Sequence, residues 1–169
     1  MFDFISYMEQ LTASNRLAVS NGFKHSTNSG ISYLEGMLEQ YTKTANFVSS
    51  SDVCSESRFL SSGGWFKRRV FTVFILMRYK YGNTADCAAK LATCRELFRQ
   101  FESRFIHDTE ALGNQLVYLN AEDVRSNEIG GTFLNGCTGL YFMVSIDEPT
   151  DLVYNTEEWI AEDNNGTSE

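Results

Sequence analysis

The sequence is short of proline, histidine and late-chain lysine. A single proline in 169 residues excludes collagen-like and polyproline architectures. There are two histidines, His25 and His107, and neither is followed by a partner at metal-ligand spacing. No lysine follows Lys90, which removes the carboxylate-plus-lysine pattern of a metal-dependent nuclease. Four cysteines, at 54, 87, 94 and 137, form no Cys-x-x-Cys pair. They read as small buried apolar groups in a reduced setting. The Met-Phe-Asp-Phe start carries no basic region or cleavage site, so a cytosolic origin is expected. No apolar run is long enough to span a bilayer.

What is present is a large aromatic payload, 13 Phe and 8 Tyr, within a 43% hydrophobic chain. That composition supports one core dominated by rings. The net charge is −8, which argues against general nucleic-acid affinity. The charge is unevenly placed. Residues 1–84 hold 9 Lys/Arg against 6 Asp/Glu, and residues 85–169 hold 5 against 16. This is either solvated surface or a subunit with one positive and one negative side, suited to head-to-tail packing.

The expected fold class is α+β: a mostly antiparallel sheet with a long helix over about 84–112 packed on it, N-terminal helices and a Ser-rich loop. Residues 1–160 make a single domain, and 161–169 an acidic C-terminal tail. Asp3 to Ala13 places Phe4, Ile5, Met8 and Leu11 on one helical stripe, with Asp3 as cap. The helix extends toward Val19 and stops at Asn21-Gly22. Residues 24–30 have loop chemistry. Ile31, Leu34, Leu38 and Tyr41 give a second, shorter helix. Thr44 to Val48 either continues it or forms a strand. Residues 49–64 include seven serines and read as a long loop, either a slack connection or an arm anchored on a neighbour by Phe59 and Leu60.

Val70 to Tyr79 is apolar on both alternating faces and reads as a central strand covered on both sides. Asn83 or Thr84 caps the long helix. Its core seam is Cys87, Leu91, Cys94, Phe98, Phe101 and Phe105. Strands are then expected over Gln115 to Asn120, within Asp123 to Phe133 with a break at Gly130-Gly131, and over Leu140 to Ile146. Leu134-Asn135-Gly136 and Asp147-Glu148-Pro149-Thr150 read as turns, and Leu152-Val153-Tyr154 as a short last strand.

Candidate chemistry is sparse. Gly130-Gly131, Gly136 and Gly139 precede no helix and have no lysine, so bulges and turns explain them better than a phosphate loop. The acid pairs Glu122-Asp123, Asp147-Glu148 and Glu157-Glu158 read as surface charge. Lys67-Arg68-Arg69 beside Trp65 and Phe66 is the one basic-aromatic cluster. It is either a solvated strand entrance or a subunit contact with an acidic surface.

An N-terminal helix, a long loop, the strand Phe66-Lys67-Arg68-Arg69-Val70-Phe71-Thr72-Val73-Phe74, a long helix and a run of antiparallel strands make up a layout. With Gly136-Cys137-Thr138-Gly139-Leu140-Tyr141-Phe142, Asp151-Leu152-Val153-Tyr154 and Glu157-Glu158-Trp159, it resembles the small neck and tail-completion proteins of tailed bacteriophages. The tail terminator group is the nearest, from phages or prophages of Bacteroidetes. The resemblance covers about residues 30–160 and is one of layout, because the group has no diagnostic motif. It implies a non-enzymatic virion subunit, assembled in the bacterial cytoplasm, that forms a homo-oligomeric ring at the head–tail junction or tail end. Such a subunit has no cofactor, metal or catalytic residue and no membrane association. It contacts other neck or tail proteins and meets DNA only as cargo passing through a lumen. Contact candidates are Phe59, Leu60, Trp65, Phe66, Lys67, Arg68, Arg69, Glu157, Glu158 and Trp159. Two other readings stand beside it. One is a small acidic binding or regulatory protein of a mobile element, such as an inhibitor that mimics nucleic acid. The other is a small hydrolase using Asp147, Glu148 and Asp151.

Overall fold

The computed structural model describes residues 1–29, 46–133 and 136–160. Helix α1 (Phe4–Ser14) is capped by the Asp3 carboxylate, which accepts from Ser6 N at 3.0 Å. Asn15 ends α1 and caps α2 (Arg16–Ser20) through Ala18 N, so the expected single helix is two. Gly22, at φ 68°, turns the chain after α2. The strands are β1 (Lys24–Asn28), β2 (Asn46–Ser51), β3 (Ser55–Ser61), β4 (Gly64–Arg78), β5 (Tyr118–Leu119), β6 (Arg125–Phe133) and β7 (Cys137–Pro149), with α3 (Thr84–Gly113) between β4 and β5. The second helix expected from Ile31 lies outside the described residues.

Among the described residues, seven strands form one sheet in the order β1-β2-β4-β7-β5. β7 runs along one edge of β4 over its length, from Phe66↔Pro149 to Arg78↔Cys137. β2 and β3 therefore share the other edge of β4, and β5 and β6 share the far edge of β7. Only β1 and β2 pair in parallel. The fold is thus α+β with a mostly antiparallel sheet.

The main core lies on one face of the sheet. The odd positions of β4 (Phe71, Val73, Ile75, Met77) and the even positions of β7 (Leu140, Phe142, Val144, Ile146) meet α1 and α3 there. Phe4 stacks on Phe71 at 4.6 Å between ring centroids, and Phe98 meets Phe142 at 4.9 Å. The helical seam holds at Cys94, Phe98, Phe101 and Phe105, with Leu97 and Leu112 added, whereas Cys87 and Leu91 are only half-buried. On the other face, Phe47, Phe74, Leu76, Ile129 and Cys137 make a smaller cluster.

Several expectations fall. Residues 24–28 are a strand, not a loop, and the Ser-rich stretch 49–64 is also strand. β2 is buried throughout, because its hydroxyls find partners inside the sheet. Ser49 Oγ accepts from Asn28 Nδ2 at 2.9 Å, and Ser50 Oγ lies 3.0 Å from His25 Nε2. β3 returns through a two-residue turn, Ser62-Gly63, onto β4, which starts at Gly64 rather than Val70. Asp147 to Pro149 continue β7 instead of turning, and Leu152 to Tyr154 join no strand. The strand expected over 115–120 shrinks to Tyr118–Leu119. The expected break at Gly130-Gly131 sits at a register shift of β6 on β7.

The turn that shortens β5 is a Schellman cap. Val117 N bonds Leu112 O, and Leu116 N bonds Gly113 O. Buried Val117 and Leu112 supply its apolar contact. Leu116 sits in the left-handed position at φ 60°, where a side chain costs about 1–2 kcal/mol. Leu116→Gly should therefore raise the thermal midpoint, by about 1 kcal/mol of stability after glycine's greater unfolded-state freedom is subtracted. A lower midpoint would show that Leu116 makes contacts worth more than its strain.

Candidate functional site

Successive residues of a strand point to opposite faces, and directly paired residues of antiparallel strands share a face. The basic step at the start of β4 is therefore split between the two faces, and the end of β7 supplies a carboxylate to each. Lys67 is paired with Glu148, and Arg68 with Asp147. On the face away from the helices, the Arg68 guanidinium donates to both Asp147 oxygens, at 2.7 and 2.8 Å, and Asn120 Nδ2 adds a bond at 3.1 Å. On the helix face, Arg69 donates to the Glu148 carboxylate and to Phe2 O at 2.9 Å, and Phe2 N donates to Glu148 at 2.6 Å. Arg68 lies over the Phe59 ring and Arg69 over the Phe71 ring, at 5.1 and 5.0 Å.

This corrects two readings. Asp147-Glu148 is not surface charge, since both residues are buried. Arg69 is buried too and cannot meet another subunit, and Arg68 is half-used by its own chain. The acidic surface that the basic step meets belongs to the same molecule. Sequence pattern alone could not pair residues 79 positions apart.

Beyond these pairs the β3–β4 hairpin runs past its helical cover. Leu60 and Trp65, opposite one another, are 67% and 45% exposed. On the same face stand Arg58, bonded to Glu56, and Lys67, whose ammonium lies 3.6 Å from Met1 Sδ. Among the described residues no carboxylate lies within ion-pair distance of Lys67. The other hairpin face stacks Phe59 on Phe66 at 5.7 Å, and Phe66 meets Tyr118 at 5.9 Å. Those rings, the 62–63 turn and Asp147 line an open groove of about 390 Å3. Thr150 N donates to Trp65 O at 2.9 Å, and from there residues 151–160 leave the sheet as an arm. Along the arm, Val153, Tyr154, Trp159 and Ile160 are 82, 68, 63 and 96% exposed, and Glu157 and Glu158 are exposed beside them.

No family model and no curated protein matches this chain.

Two further polar clusters carry catalytic residue types. His25 Nε2 and Ser50 Oγ have nucleophile–base spacing, but Ser50 is fully buried in the sheet, out of reach of a substrate, and burial lowers the His25 pKa. Asp108, at the α1–α3 contact, collects Tyr7 Oη at 3.0 Å, Arg104 Nε at 2.7 Å and His107 Nδ1 at 2.9 Å. There the carboxylate ties α1 to α3, and His107 lies in solvent, with no nucleophile bonded to it among the described residues. No group of three or more metal-ligating residues occurs among the described residues, and no helix there is long and apolar enough to cross a membrane. Among the described residues the cysteines are free, and burial pushes the Cys94 thiol up to about 12.

The buried carboxylates set an acid dependence. Burial pushes Asp147 and Asp108 up, but hydrogen bonds outweigh it, from Arg68 and Asn120 for Asp147 and from Arg104, His107 and Tyr7 for Asp108. Both end below the usual range. A carboxyl that binds its proton less readily when folded contributes stability above its unfolded value, and that stability is lost as pH falls through the folded value. The urea midpoint should therefore drop as pH falls below about 4, with Asp147→Asn showing a shallower acid limb. An unchanged limb in Asp147→Asn would remove Asp147 from the account.

Proposed function

We propose that this chain is a non-enzymatic structural subunit of a bacteriophage virion, forming a ring at the head–tail junction or the tail end. The observation that carries the reading is the set of exposed apolar groups on the hairpin and on the arm that leaves beside it. Leu60 and Trp65 on the hairpin and Val153, Tyr154, Trp159 and Ile160 on the arm start from one point, where Thr150 bonds Trp65. Exposed apolar surface gathered in this way marks a contact surface. The ion pairs at the hairpin's base hold its direction, so that it projects as a fixed element. The layout resemblance supplies the virion setting. The partners in this reading are further copies of the chain and other neck or tail proteins, with DNA passing through the lumen.

Light scattering and negative-stain electron microscopy test the reading, on the protein alone and mixed with a phage tail-tube or connector protein. Closed rings, or labelling of one end of the tail, are the expected result. A strict monomer that joins no particle would overturn it.

A further inference from the structure

We infer that the C-terminal arm, residues 151–160, docks on the Leu60–Trp65 face of the β3–β4 hairpin of a second copy, so that neighbouring subunits are joined by exchanged arms. This rests on the ring reading and supplies its joint. The arm presents Val153, Tyr154, Trp159 and Ile160 to solvent, with Tyr154 stacked on Trp159 at 5.9 Å. It also carries Asp151, Glu157 and Glu158 and no Lys or Arg. The hairpin face is its complement. Leu60 and Trp65 form an exposed apolar centre, and Lys67 lies beside them on the same face, as does Arg58, which Glu56 already pairs. Lys67 has no carboxylate within ion-pair distance among the described residues.

The occupant is a second copy because the chain's own arm leaves that face open. The arm departs beside Trp65, held by the Thr150–Trp65 bond, yet Leu60 and Trp65 stay exposed and so does the arm's apolar set. Both halves of one contact are thus present and unused within a single molecule. Burying both removes the largest apolar exposure at this end of the sheet. An arm passed to the next copy leaves that copy's own arm free for another, a heterologous contact that closes into a ring if the rotation allows.

The experiment uses full-length chains with single cysteines, Thr156→Cys on the arm, which leaves every apolar group of the arm in place, and Ser62→Cys at the hairpin turn, on subunits of different tag length mixed under mild oxidation. The expected result is a mixed disulfide dimer, above the background that each variant gives alone from its native cysteines. Lys67→Glu on the Ser62→Cys chain should abolish it. A doubly substituted chain that links only within itself, or a mixture that gives no more dimer than the single variants, would overturn arm exchange. The two readings part cleanly. Rings that form without the mixed disulfide keep the ring subunit and reject the arm joint. Mixed disulfides without rings or particle association keep the joint and reject the ring.

Discussion

Gly139→Ala should cost about 4 kcal/mol or more, which for a chain of this size lowers the thermal midpoint by roughly 10 °C or more. Gly139 is the third residue of β7, opposite Leu76 of β4, at φ 153°. A Cβ placed there would stand 2.0 Å from Ile75 O, 3.0 Å from Ile75 C and 3.1 Å from Leu76 Cα. All three are backbone atoms of the central strand, so no rotamer change makes room. Either β4 and β7 part or Gly139 changes its backbone angles, and both routes disturb the longest pairing in the sheet. Such a loss is a large part of a typical domain's stability. Gly82→Ala is the internal control. Its φ of 77° is as unfavourable for a side chain, but nothing lies within 4 Å, so only the local strain of about 1 kcal/mol applies. Equal midpoints for the two variants would show that β4 and β7 yield at this point.

The same residues show which parts of the fold sequence pattern reveals. The α3 seam and the two-faced apolar run of β4 are legible because large apolar groups at helical or strand spacing have few places to go but a core. A strand was one of two readings of Thr44 to Val48, which meets the start of β2, but β3 and the serine half of β2 were hidden. Their serines carry no apolar signal, and β2 is buried only because His25 and Asn28 of β1 and the chain turn at Val53 satisfy its hydroxyls. β3 is held by backbone pairing to β4 and is exposed at every position but Phe59. Asp147-Glu148-Pro149-Thr150 has turn composition and is nevertheless strand through Pro149. Two arginines 79 positions earlier hold its acids, and Pro149 falls at the last position of the strand, where a missing N–H does least harm. The candidate site was legible in part. Leu60, Trp65 and Trp159 are exposed as a contact role requires, whereas Arg69 is not. Nothing in the spacing of Lys67-Arg68-Arg69 distinguishes a cation that meets solvent from one that meets its own sheet.

That distinction leads to the second large expected effect. Glu148→Ala should cost about 3–5 kcal/mol, because it strands the buried Arg69 guanidinium in a site with little water. Arg69 Nε already lacks a partner there, so only the bond to Phe2 O and the face of the Phe71 ring would be left to hold the charge. Phe2 N would also lose its acceptor. Replacing both partners by apolar residues of similar size, Arg69→Met with Glu148→Leu, should return stability to within about 1–2 kcal/mol of the original chain, since no charge is left to desolvate. Arg68→Ala should cost only about 1 kcal/mol, because that side chain is 41% exposed and water can take its place on Asp147. Urea unfolding of the original chain and these three variants makes the comparison. A Glu148→Ala loss no larger than that of Arg68→Ala would mean that water already reaches the inner pair. The pair also bears on assembly. It fastens the first residues of the chain to the end of β7 at Glu148, two residues before Thr150, where the arm departs, and beside the base of the hairpin. The double apolar variant should therefore keep its stability yet release Phe2, which amide exchange at residues 2–4 would read as faster. If it also assembles as the original chain does, the inner ion pair serves folding alone and the hairpin and arm make the contact unaided.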